Sequence, residues 1–343
     1  MTSNNEQVFV SIIVPVYKSP LDYFKQCLTS LSEQTLNEAE FLIIFDGQND
    51  NLYSIALQYQ KKDSRFILSI QPHQGVSKTR NYGIQTARGT YITFVDSDDT
   101  LYSPKSLEDA YLYIHSINSD IFLFNWLSTN KTTYSIWPNK KRVLSKPELE
   151  YCLQQTIHPI KVDIPGAPWA KFFRRNFLKS NNISFKENCI IGQDRVFNYT
   201  AFSLAKKVSY SNDILYRYTL NQESATQRFR PNYLPIALTY IEELNTLSKS
   251  KYAPLIGRAT LMILYSSWEK CYMNAQNNRS FFSRIHDVIK IIKSERFQFL
   301  IKTINTEGLT LIPKIEGFFL QHKIVFWIYL HGLKKLLFNK IHS

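Results

Sequence analysis

Three carboxylates fall within four residues at Asp96-Ser97-Asp98-Asp99, directly after the apolar run Thr90-Tyr91-Ile92-Thr93-Phe94-Val95. Acids this close repel one another in water, and the grouping makes sense around a cation. Hard oxygen ligands suit Mn²⁺ or Mg²⁺. A β-branched and aromatic run of this length reads as a buried strand. A strand that delivers acids at its carboxyl end puts charge where open α/β sheets bind ligands. The competing reading is a solvated turn, because Asp and Ser are ordinary turn residues. On these four residues alone the two readings stand level.

The elements that must position these acids are legible upstream. Strands are expected over 8–16, 40–45, 66–70 and 90–95, and helices over 21–34, 51–61 and 76–87, with Pro15 closing the first strand. Helix 105–116, strand 121–126, helix 195–205 and strand 212–218 follow. Strand–helix alternation predicts an α/β fold: a mainly parallel sheet with helices on both faces. Parallel strands align their carboxyl ends, so Tyr17, Asp46 and the pair Asp96 and Asp98 converge on one crevice. Such a crevice suits a nucleoside diphosphate. A carboxylate accepts from base N–H or ribose hydroxyls, and a metal on Asp98 bridges phosphates. Lys78 and Arg80 near a helix start add positive potential. Taken singly, each reads as part of a solvated helix face.

Four stretches occur in a familiar order: Val10-Ser11-Ile12-Ile13-Val14-Pro15-Val16-Tyr17; Leu28 and Leu31 with Gln34-Thr35; Gly75-Val76-Ser77-Lys78-Thr79-Arg80-Asn81-Tyr82-Gly83-Ile84; and Val95-Asp96-Ser97-Asp98-Asp99. They resemble the family 2 glycosyltransferases, inverting enzymes of the GT-A (Rossmann-like) fold that use nucleotide-diphospho-sugars. The resemblance implies that Pro15 and Tyr17 line the nucleoside pocket and that Asp46 contacts the base. It implies that Arg80 and Asn81 lie near the nucleotide, with Lys78 and Ser97 beside them. Asp96 would contact ribose or metal, and Asp98 would be the principal ligand of Mn²⁺ or Mg²⁺. One departure is visible: Phe45 precedes a single Asp46-Gly47-Gln48 where the family commonly has two acids.

An inverting transfer is one in-line displacement, so a second carboxylate must take the acceptor's proton from the side opposite the leaving diphosphate. Asp194, between Gly192 and the helix 195–205, is the candidate; by residue chemistry alone a helix N-cap is the stronger reading of it. The family segment W-x-K, I-x-F, E-D-x-x-F is matched by Trp169-Ala170-Lys171, Ile183-Ser184-Phe185 and Gln193-Asp194-Arg195-Val196-Phe197. The resemblance therefore implies Asp194 as catalytic base, with Gln193 where the family has Glu. Trp169 stands equally for an acceptor-stacking platform and for core filling. Arg217, Ser224 and Arg228 are candidates to meet the diphosphate.

Composition bounds the rest. With 44% apolar residues in 343, the chain folds rather than staying disordered. Its formal charge of +13 favours a polyanionic partner, and no paired Cys/His or basic heptad signature points to nucleic acid. Cys27, Cys152, Cys189 and Cys271 form no C-x-x-C pair, which fits a reducing compartment. With no signal peptide and no spanning segment, a cytoplasmic location is expected. Residues 1–228 are expected to form the glycosyltransferase domain, with 1–103 the nucleotide-sugar half and 104–228 the acceptor side. Residues 229–343 form a basic helical region with 16 Lys and Arg against 7 Asp and Glu. Residues 323–340 are apolar, aromatic, basic and free of acids, which suits a helix on the inner face of an anionic membrane; the alternative is a terminal helix docked on its own domain.

The leading expectation is transfer of one sugar from a UDP-sugar to a lipid-linked glycan acceptor in surface polysaccharide synthesis. The alternatives are a non-catalytic nucleotide-sugar or glycan binder on the same fold, and a transferase acting directly on polyprenyl phosphate.

Overall fold

The computed structural model describes residues 8–302, apart from 131, 136, 138–140, 158–165, 221–228, 273 and 275. The elements run β1 (Val10–Val16), α1 (Leu21–Ser32), β2 (Ala39–Asp46), α2 (Asp50–Gln60), β3 (Phe66–Gln71), α3 (Val76–Thr86), β4 (Tyr91–Phe94), β5 (Thr100–Leu101), α4 (Ser106–Ser116) and β6 (Ile121–Ser128). After these come β7 (Thr133–Tyr134), β8 (Arg142–Val143), α5 (Lys146–Ile157), β9 (Lys171–Arg174), α6 (Arg175–Ser180), α7 (Gln193–Leu204) and β10 (Val208–Tyr218). The last are α8 (Tyr233–Leu247), α9 (Ala253–Ser267), a π-helical turn at Trp268–Tyr272, α10 (Phe281–Lys293) and α11 (Glu295–Ile301).

The sheet order is β3-β2-β1-β4-β9-β6-β10-β5, with β7 on β6 and β8 on β10. The long ladders β2–β3, β1–β2, β1–β4 and β6–β10 are parallel, and the expected α/β architecture is present. Short β9 pairs antiparallel with both β4 and β6. It is four residues long and starts at the Lys of the W-x-K stretch, too short to announce itself by periodicity. Pro15 does not close β1: the ladder continues to Val16, with Pro15 opposite Ile44, because proline withholds only its own N–H.

Alternation in the strands divides the core between two faces. Val10, Ile12 and Val14 pack with Phe24, Leu28 and Leu107 on one side, while Ile13, Leu42 and Ile44 pack with Ile84 and Phe197 on the other. Helix α3 lies hard against β1: a Cβ on Gly83 would come within 2.6 Å of the Ile13 side chain. The helix opens at Gly75, whose φ of 95° belongs to glycine. These two glycines let α3 bring Arg80 to the carboxyl end of β4.

The described residues through Glu187, with Gln193–Leu220, form one compact unit; Asn188–Gly192 and the described residues beyond Leu220 form a second. The second unit is helical, built on buried Leu234, Ile241, Ile256, Ile285, Val288 and Phe297. Among the described residues no helix is long and apolar enough to cross a membrane. Residues 323–340 lie outside them.

Candidate active site

Asp99 is 1% exposed and is not a solvated turn residue. The Tyr216 hydroxyl donates to its Oδ2 at 2.6 Å, and the Thr219 N–H donates to Oδ1 at 2.7 Å. The same Tyr216 oxygen accepts the Asp96 N–H at 3.2 Å. One tyrosine of β10 thus braces both ends of the acidic turn. Burial, then the charges of Asp96 and Asp98, hold the Asp99 carboxyl well above the usual range. After Asp99 the chain enters β5, which pairs with β10, and α4 then begins at Ser106, within one residue of the expected helix 105–116. Ser97 is buried, and its hydroxyl shares a short hydrogen bond with that of Ser19.

Asp98 takes no part in that bracing. Its carboxyl is pushed up to about 6 by burial and by the charge of Asp96. Asp98 is thus an uncompensated carboxyl beside a second acid, which a divalent cation would relieve. The described residues include no group of three or more His, Cys, Asp or Glu able to hold a metal. A cation here would have Asp98 and Asp96 alone and would need its remaining ligands from phosphate and water, the usual habit of Mg²⁺. The donor set fits a metal that arrives with a diphosphate.

Arg80 is the junction. Its side chain is 4% exposed; Nη2 donates to Asp96 Oδ1 at 2.8 Å and Nη1 to Asp194 Oδ1 at 2.5 Å. Asp194 sits in the first turn of α7 with its side chain 25% exposed. Burial raises its pKa; Arg80 opposes that, Asp96 reinforces it, and Arg195 opposes it. Nearby Lys171 is buried, its ammonium pushed down to about 7 by burial. Its Nζ donates to the Ala167 carbonyl at 2.8 Å, and Asn198 of α7 donates to the Gly166 carbonyl at 2.7 Å. Two buried donors therefore clamp the segment that leads into β9.

At the ends of β1, β2 and β3 a second cluster forms. Asp46 is 4% exposed and accepts from the Gln74 N–H at 2.8 Å, from the Gly75 N–H at 3.1 Å, and from His73 Nδ1 at 2.9 Å. Its oxygens hold the turn rather than stand open. His73 stacks on Tyr17, with 4.3 Å between centroids and 7° between planes. Pro15, part-buried, lies two residues before Tyr17.

Other expected site residues lie elsewhere. Asn81 is committed to structure: its Nδ2 donates to the Phe185 carbonyl at 2.9 Å and its Oδ1 accepts the Phe185 N–H at 2.8 Å. Lys78 is exposed and donates to Gln74 Oε1 at 2.7 Å, a solvated-face arrangement. Trp169 is 5% exposed, stacked on Tyr216 at 4.6 Å and 1°. Its ring also meets those of Trp126 and Tyr218, a packing that suits core filling. Arg217 follows Tyr216 in β10 and so points to the opposite face, over the Tyr102 ring. Ser224 and Arg228 lie outside the described residues. His73 and Tyr216 were missed by sequence reasoning. The first sits in a Gln-Pro-His-Gln-Gly segment that reads only as a turn; the second was visible only as one of two alternating tyrosines.

The sequence model described as glycosyl transferase family 2 matches residues 11–199. EpsH of Bacillus subtilis (strain 168), designated a glycosyltransferase, is 29% identical over 308 residues, 84% of each chain. EpsJ of the same organism, an uncharacterized glycosyltransferase, is 34% identical over 226 residues, 64% of this chain and 63% of its own. In fold, the chain is similar to S. aureus TarS solved with UDP: TM-score 0.64 at 20% identity, over 92% of this chain and 88% of that one.

Proposed function

The chain belongs to glycosyltransferase family 2, and from that membership we propose that it moves a single sugar from a nucleotide-diphospho-sugar to a glycan hydroxyl by one inverting displacement. The observation that carries the reading is the placement of Asp96 and Asp98 at the end of β4 with Asp194 held across from them through Arg80. Asp98 and Asp96 would hold Mn²⁺ or Mg²⁺, which when bound neutralises the leaving diphosphate. Asp194 takes the acceptor proton as the hydroxyl attacks. Tyr17, backed by His73, offers a flat aromatic surface to the base. TarS solved with UDP and with UDP-GlcNAc favours a uridine donor. A related mannosyltransferase fold from Pyrobaculum calidifontis solved with GDP-Man and Mn²⁺ favours the metal.

The relatives' names favour an acceptor in bacterial surface polysaccharide or teichoic acid synthesis, lipid-linked in the reading preferred here. On that reading residues 1–228 carry the chemistry, and the acid-free residues 323–340 hold the chain to the inner face of the membrane. A chain ending at Phe318 that binds anionic liposomes as well as the full chain would remove that last element.

The test is release of nucleoside diphosphate from a panel of UDP-, GDP- and dTDP-sugars, each with and without Mn²⁺. Metal-dependent release from one uridine donor is expected. Nucleotide binding without release from any donor would leave a binding protein in place of an enzyme.

A further inference from the structure

We infer that Arg80 is a positioning residue that aims Asp194 and keeps it ionised, not a ligand of the donor diphosphate. The inference rests on the reading of Asp194 as the base.

The guanidinium has no open face to offer a phosphate. It is 4% exposed, and its two terminal nitrogens are taken by Asp194 and Asp96. Its Nε is buried and has no hydrogen-bond partner among the described residues. The plane lies over the Phe185 ring at 5.2 Å. Phe185 is itself fixed twice. Asn81, next to Arg80 on α3, clamps its backbone from both sides. Its ring stacks on Phe197 at 4.1 Å and 1°, and Phe197 lies one turn after Asp194 on α7. Arg80 is thus registered against the helix whose carboxylate it holds. This also explains why Asn81 is engaged where it is: it sets the shelf on which the guanidinium rests.

The chemistry requires such a group. A carboxylate withdrawn from water tends to take up a proton and stop being a base. The charged groups around Asp194 are Arg80 from α3, Asp96 from the end of β4, Arg195 on its own helix and Lys171 from β9. Arg80 is the cation in direct contact, at 2.5 Å. Bridging two carboxylates on different elements needs a planar fork, which lysine lacks.

The experiment uses the full chain labelled at aspartate Cγ with ¹³C, the Asp194 signal being assigned by its loss in Asp194→Asn. Its titration midpoint is compared in wild type, Arg80→Gln and Arg80→Lys, and UDP binding with Mn²⁺ is measured calorimetrically in each. The midpoint is expected to rise by about one to three pH units in Arg80→Gln, with UDP affinity within about threefold of wild type and turnover on the active donor of the sugar-nucleotide panel down by about a hundredfold. Should Arg80→Gln fail to fold, Arg80→Lys carries the comparison: it keeps the charge, loses the fork, and is expected to lose turnover without losing UDP. An unmoved midpoint with UDP affinity lost would overturn the inference and return Arg80 to the diphosphate. If Asp194→Asn retains turnover, the base reading fails whatever Arg80 does. If Asp194→Asn is inactive while Arg80→Lys turns over like wild type with an unmoved midpoint, this inference alone fails.

Discussion

The ring of His73 lies parallel to that of Tyr17 at 4.3 Å, while its Nδ1 meets the buried carboxylate of Asp46 at 2.9 Å. A carboxylate at the end of β2 therefore governs an aromatic surface at the end of β1 through a turn that follows β3. Asp46 acts at one remove, by holding the residue that stands beside Tyr17.

His73→Ala is expected to weaken UDP binding by about 3- to 10-fold, the worth of one aromatic stack. Calorimetry checks it. An unchanged dissociation constant would take His73 out of the nucleotide site.

Asp98 ties metal binding to pH. Its folded pKa of about 6 stands above the usual carboxylate value because of burial and Asp96. The metal-free folded chain therefore holds a proton that the unfolded chain has already released, in the window between the ordinary value and about 6. Stability from this group falls as pH rises through that window. Mn²⁺ needs the carboxylate, so its affinity is expected to drop about tenfold between pH 7.5 and pH 5. Asp98→Asn is expected to abolish Mn²⁺ binding and raise the metal-free melting temperature at pH 7.5 by a few degrees. A lowered melting temperature would contradict the strain assigned to this carboxylate.

Asp194→Asn is expected to leave UDP affinity within about twofold and to cut transfer by about 10²- to 10⁴-fold. Steady-state turnover beside nucleotide titration separates the two quantities. Near-full transfer would sink the assignment.

Tyr216→Phe removes one of two donors from a carboxylate that is 1% exposed. The expected cost is about 1–3 kcal/mol by urea denaturation. Stability equal to wild type would mean the brace carries nothing.

Trp169→Ala tests core against acceptor. Loss of a side chain sandwiched among Trp126, Tyr216 and Tyr218 is expected to cost about 3–5 kcal/mol. Unchanged stability with a raised acceptor KM would restore the acceptor-stacking role.

Much of the first unit was legible because its signals are local. An unbroken apolar run such as Phe41-Leu42-Ile43-Ile44-Phe45 can only be buried, and Phe24, Cys27, Leu28 and Leu31 mark one helix face whatever surrounds them. The acids at strand ends follow from the same periodicity. Strand β9 and the two-residue β5 and β8 were not legible, because a strand that short exists only through its partner.

Side-chain commitments divide the same way. The types at Arg80, Asn81, Asp96, Asp98 and Asp194, and the parallel sheet that delivers them, are properties of the linear sequence. Which groups are free to meet a ligand is not. Asn81 is spent on Phe185, 104 residues away; Arg80 reaches 114 residues to Asp194; Asp99 is held by Tyr216 from 117 residues off. Hydrogen bonds and burial depend on distance in space, which periodicity leaves open. Only the assembled sheet, with β10 laid beside β6 and α3 pressed on β1, decided that Asp98 stands uncompensated while its neighbours are already paired.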